Sequence, residues 1–141
     1  MAELEFNSID QLIKGMQSLD LYDDETQDEV LNAEADVLVS EIQKSMSTSK
    51  FDLSKIARNV KKSKAKKTKG NRSVTVTVRG KNERGERNAT VAFVLNYGRR
   101  KEFGEIVGEY FWTSAVKKAE NPMLSAAEEV VIKKIKERGL F

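Results

Sequence analysis

The sequence has no cysteine and no histidine. The first absence removes disulfides, thiolate zinc sites and cysteine nucleophiles; the second removes the commonest general base and the commonest metal ligand. There is one proline, and no apolar run approaches the length that a membrane-spanning helix needs. The opening residues, Met1-Ala2-Glu3-Leu4-Glu5, are acidic and lack the cationic start and apolar stretch of a signal peptide. These gaps lead us to expect assembly in a cytoplasm, with no cofactor, no metal and no covalent chemistry. What is present is a chain of 141 residues, 39% hydrophobic and 33% charged, the size of one soluble domain.

The net charge of +3 conceals a strong polarity. Residues 1–48 carry 2 Lys/Arg against 12 Asp/Glu, a net of −10, whereas residues 49–87 carry 14 against 3, a net of +11. Such a division fits internal pairing of segments, head-to-tail complementarity between copies, or two solvated faces.

Hydrophobic spacing supplies the elements. Ser8-Ile9-Asp10-Gln11 reads as a capping box, and Ile9, Leu12, Ile13, Met16 and Leu19 keep helical spacing to about residue 19. Asp23 or Asp24 can cap a second, longer helix with Leu31, Ala35, Leu38, Ile42 and Met46 on one stripe. Its acids Asp28, Glu29 and Asp36 should face water. Phe51, Leu53, Ile56 and Val60 form a short apolar set. Then follow Lys61, Lys62, Lys64, Lys66, Lys67, Lys69 and Arg72 without one acid. Mutual repulsion predicts a mobile basic loop over about 61–72.

Val74, Val76 and Val78 alternate with Thr75, Thr77 and Arg79, the pattern of a half-buried strand. The polar stretch 80–88 suits a turn, and "ATVAFVLNY", apolar on both faces, reads as a central strand. A hairpin of about 73–80 and 89–97 results. Because two strands alone are marginal, a further strand is expected from 99–108, from residues 3–6, or from a neighbouring copy. Tyr110–Lys118 reads as a short helix, and Asn121-Pro122 as the start of a last helix on Leu124, Ala127, Val131 and Ile135. Gly139 should end that helix in the left-handed conformation, with Leu140 folding back. The predicted class is α+β: a small antiparallel sheet packed against N-terminal and C-terminal helices.

Three kinds of site come into view. Glu102, Glu105 and Glu109 lie near Tyr97 and Tyr110, but beside Arg99, Arg100 and Lys101 such acids read as surface ion pairs. No phosphate loop, nucleophile elbow or metal spacing accompanies them. The tract Lys61–Arg72 can neutralise phosphates, although without an aromatic it offers no stacking for bases. Finally, "LNYGRRKEFGE" (95–105) sets Gly98 and Gly104, with Gly108 just beyond, around Phe103 and before Tyr110, Phe111 and Trp112. It reads either as a turn pinned by aromatics or as the centre of an interface.

This last stretch, followed by "YFWTSAVKKA", resembles the HK97 gp10-like family of tailed-phage proteins, the head–tail joining or tail-completion (tail terminator) group. The matching residues are Tyr97-Gly98, Glu102-Phe103-Gly104, Phe111 or Trp112, and Ala115. The order of acidic helical N-terminus, polar loop, strand pair, motif and C-terminal helix agrees as well. The chain departs from the pattern after its long helix, where the family's proline and Thr-Gly-x-Leu step leave only Leu53. Glu105 and Tyr110 replace the family's threonine and proline.

The resemblance implies a structural virion protein of a phage or prophage, assembled in the bacterial cytoplasm. It would form a ring, usually of six copies, between head connector and tail tube around a channel for DNA. The motif would fix a strand-to-helix corner, and Lys61–Arg72 would meet a neighbouring copy, another virion protein or DNA. The alternative is a small cytoplasmic protein that binds nucleic acid non-specifically through the same lysines.

Overall fold

The computed structural model describes residues 9–100, 102 and 105–139. Helix α1 (Ile9–Ser18) leads into α2 (Asp24–Ser47), and a one-turn helix α3 (Ser54–Ala57) follows. Four short strands come next: β1 (Val60–Lys62), β2 (Lys66–Thr68), β3 (Asn71–Ser73) and β4 (Val76–Val78). Helix α4 (Asn88–Tyr97), strands β5 (Gly98–Arg99) and β6 (Ile106–Val107), and the long helix α5 (Phe111–Glu137) complete the fold. The class is α+β, as the spacing predicts. Ser8 and residues 3–6 lie outside the described residues, as do Phe103, Gly104 and Leu140.

The helices α2 and α5 pack along their length and carry both apolar clusters. At one end Ile42 and Met46 of α2 meet Phe111 and Ala115 of α5, together with Leu53, Ile56, Val60 and α4. At the other end Val30 meets Ala127, Val131 and Ile135, with Leu12, Met16 and Leu21 laid over them. The Asp23 carboxylate caps α2 by accepting from the Thr26 N–H at 3.3 Å and the Thr26 hydroxyl at 2.8 Å.

Four expectations from the sequence are corrected. Residues 89–97 are not a strand of a hairpin with 73–80; they form α4. A short run apolar on every side satisfies both periods, and here the helical one wins. Asn88, Ala92, Leu95 and Asn96, spaced at four, three and one, are the buried set. The strand over 76–78 is real, but its antiparallel partner is β1, in the register Val60↔Val78, Lys61↔Thr77, Lys62↔Val76.

The tract 61–72 is not a loop. It continues the β1–β4 ladder into a second one, β2–β3, with Lys66↔Ser73, Lys67↔Arg72 and Thr68↔Asn71. The missing acids that its repulsion calls for come from α2, as described below. Third, the further strands from 99–108 exist as β5 and β6, but they pair with each other, in the register Gly98↔Val107 and Arg99↔Ile106.

Fourth, α5 does not stop for Pro122, which lies inside it. An internal proline removes one helical hydrogen bond and costs about 3 kcal/mol. Pro122 and Lys118 both sit on the exposed side, where the Lys118 carbonyl can take water. Apolar contacts with α2 on either side of the proline outweigh that loss. Gly139 follows the helix with φ +64°, as expected of a residue ending a helix.

Candidate functional site

The stretch 95–113 builds a tight corner between α4 and α5. Two carbonyls at the end of α4 are taken up by the returning chain: Glu109 N–H donates to Leu95 O at 3.0 Å, and Tyr110 N–H to Asn96 O at 2.9 Å. Gly98 closes the helix at φ +89°, ψ 179°, a region open only to glycine. A Cβ at Gly98 would lie 2.6 Å from the Ile106 carbonyl oxygen, and one at Gly108 would lie 2.6 Å from the Tyr97 carbonyl carbon. The two backbones cross where neither can carry a side chain.

The N-terminus of α5 is capped from elsewhere. Tyr110, the residue before it, is left-handed at φ +52° and offers no side-chain bond. Instead the side-chain Oδ1 of the buried Asn96 accepts from the Trp112 N–H at 2.9 Å and the Thr113 N–H at 3.4 Å. Its amide donates to the Thr113 hydroxyl at 3.3 Å. Glu109 ties the corner to the end of α2, accepting from the Ser49 hydroxyl and the Lys50 N–H. The Ser45 hydroxyl donates to Phe111 O at 2.7 Å. Asn96 was not singled out by sequence reasoning; a lone amide inside an apolar run was the available signal.

Among the motif residues, Phe111 and Ala115 are core, Trp112 is half-buried and Glu102 is exposed. Tyr97 stands outward between Phe93, 4.8 Å between ring centroids, and Tyr110, 6.2 Å and edge-on. Around this corner Phe93 is 63% exposed, Tyr97 53%, Val107 69% and Tyr110 51%. They make up most of the large apolar side chains left in water among the described residues. Exposed apolar side chains gathered in this way are common at contact faces. Phe93, hidden in the misread strand, is the functional candidate that the sequence concealed.

The basic tract divides in two. Lys62 reaches Asp36 at 2.7 Å, and Arg72 pairs with Asp28 and lies 3.6 Å from Asp24. These residues turn toward α2, so Asp28 and Asp36 are ion-paired rather than merely wet. Lys61, Lys64, Lys66, Lys67 and Lys69 remain exposed on the ribbon. At the far end, the buried Lys134 ammonium sits 2.9 Å from Glu29, 3.3 Å from Glu25 and 3.8 Å from Glu137. The bond to Glu29 raises its pKa. Arg138 donates to both Asp23 oxygens, at 3.0 and 3.1 Å, and to the Thr26 hydroxyl. Of the arrangements open to the sequence, internal pairing is thus realised for much of α2.

The Arg138 guanidinium holds the Asp23 carboxyl well below its ordinary 3.8. The unfolded chain therefore takes up that proton first. The stability from this carboxylate is complete above about pH 4 and drains away as pH falls toward the folded pKa. Arg138→Gln should lower the urea midpoint at pH 7 and lower it less at pH 3. A gap between parent and variant that does not change with pH would refute the pairing.

Among the described residues no group of three or more acids could hold a metal ion, and no helix is long and apolar enough to cross a membrane. Compared with known proteins, the chain matches no protein-family model, no curated protein and no solved structure.

Proposed function

We propose that the chain is a structural, non-enzymatic protein that works by associating with copies of itself, as a ring-forming subunit completing the tail or joining head to tail in a phage or prophage particle. The observation that carries the self-association is the aromatic corner, where Phe93, Tyr97, Val107 and Tyr110 stand in water over a rigidly bonded turn. The resemblance of Tyr97-Gly98, Glu102-Phe103-Gly104, Phe111, Trp112 and Ala115 to the head–tail joining proteins supports the placement in a particle. Six copies, with head connector and tail tube as neighbours, follow from that resemblance alone.

A second reading rests on the ribbon. Five exposed lysines on a two-stranded arm can track a phosphate backbone without reading sequence. One set of substitutions separates the two. Lys61, Lys64, Lys66, Lys67 and Lys69 replaced by serine should leave the melting temperature within about 3 °C, since exposed cations contribute little to folding. Lys62 and Arg72 are kept because α2 uses them.

If the protein is a particle subunit, sedimentation and electron microscopy should show discrete rings of the unmodified chain, with random DNA bound weakly or not at all. Tight, steeply salt-dependent DNA binding by a monomer, lost in the lysine variant, would replace this reading with the second.

A further inference from the structure

Beside the exposed aromatics lies a groove of about 300 Å³, lined by Val76, Thr77, Val78, Ala92, Phe93 and Trp112 among others. Val76 and Val78 face inward and Thr77 outward, so a hollow touching all three must run along the edge of β4. No described strand pairs with that edge. Arg79 N–H donates to Asn59 O, and Ser63 N–H donates to Thr75 O. The odd residues of β4 and its flanks therefore face β1, and alternation turns the amide groups of Val76 and Val78 the other way. Among the described residues no backbone group bonds to them. An open strand edge over an apolar groove is the shape that accepts an added strand.

The sequence holds one segment suited to it. Glu3-Leu4-Glu5-Phe6 alternates acid with apolar residue and precedes α1. On an added strand Leu4 and Phe6 would share one face and enter the groove. Glu3 and Glu5 would share the other, beside the exposed Arg79 and Lys61. The acid–base match is what the outer face of β1 and β4 requires.

Reach decides whose segment it is. Leu12 packs at the Ala127–Ile135 end of α5, and Trp112 lies fifteen residues before Ala127, about 22 Å along the helix at 1.5 Å per residue. From Leu12 back to Ile9 the chain is helical and covers about 4.5 Å. From Ile9 to Phe6 it spans at most about 10 Å. The backbone from Leu12 back to Phe6 thus covers at most about 15 Å, less than the about 22 Å along α5 between Ala127 and Trp112, which favours the segment of another copy.

We propose that residues Glu3–Phe6 of a second copy add as a strand to the β4 edge, with Leu4 and Phe6 seated between Val76, Val78, Phe93 and Trp112. The contact joins two different surfaces, so it repeats head to tail and can close a ring. It deepens the self-association proposed above and does not depend on the ring belonging to a phage.

Trp112, the only tryptophan, reports from inside the groove. Full-length Leu4→Asp/Phe6→Asp protein should sediment as a monomer where the unmodified chain associates. A synthetic peptide of residues 2–7 should blue-shift Trp112 emission of that variant saturably. The same peptide with serine at positions 4 and 6 should not. A variant that still forms rings overturns this contact and leaves ring formation standing. An emission that the peptide at millimolar concentration does not move also overturns it. So does a shifted emission in a monomeric unmodified chain that dilution does not change, because that chain has covered its own groove.

Discussion

Gly98→Ala is expected to lose about 3–5 kcal/mol of stability, much of what a domain of this size possesses. Two penalties combine. The conformation at φ +89° and ψ 179° excludes any side chain, and the added carbon would stand 2.6 Å from the Ile106 oxygen and 2.8 Å from the Gly108 nitrogen. Both of those atoms belong to backbone, which cannot rotate aside as a side chain would. The melting temperature should fall by about 10 °C or more. A variant melting within about 2 °C of its parent would show that the corner is not held as described. The sequence pointed to Gly104 for this role as well, but that residue lies outside the described structure, and Gly98 carries the test.

Asn96→Leu should be the second most damaging change, at about 2–3 kcal/mol. Leucine preserves the volume but leaves the Trp112 and Thr113 N–H groups at the head of α5 without their acceptor. A donor left unsatisfied beneath the surface costs more than the bond itself contributes. Asn96→Asp distinguishes a lost cap from poor packing. Its carboxylate still accepts both N–H groups and suits the positive end of the helix dipole, and the Thr113 hydroxyl can turn to donate. Most of the stability should therefore return with aspartate. Equal losses for the two variants, measured by urea unfolding, would remove the capping role from Asn96.

How much of this was written in the sequence depends on the kind of signal. Long amphipathic stretches were legible: α2 stands where its stripe and cap put it, and the second half of α5 follows its stripe to Gly139. Residues 89–97 were not, because nine residues apolar on most sides fit a strand and a helix equally. The choice falls to what surrounds them. The lysine tract misled for a related reason, since repulsion along 61–72 was evident while Asp24, Asp28 and Asp36 of α2, which relieve part of it, become neighbours only on folding. Pro122 was read as a boundary by a local rule that packing against α2 overrides.

The site was half visible. Glycines among aromatics at 97–112 marked a turn; that Gly98 and Gly108 stand where backbone meets backbone emerges only from the structure. That Tyr97 would stand in water beside Phe93, and that Asn96 would cap a helix it does not belong to, are consequences of α4, and so were out of reach once α4 was taken for a strand. The basic residues divide into those turned inward and those turned outward by their position on a ribbon, which composition cannot express.

Helices α2 and α5 each contribute side chains to both apolar clusters. Unwinding either helix along its length removes apolar packing from both clusters, the one behind the aromatic corner included. A partner docked at either extremity would therefore lend its stabilisation to both clusters through the same two helices.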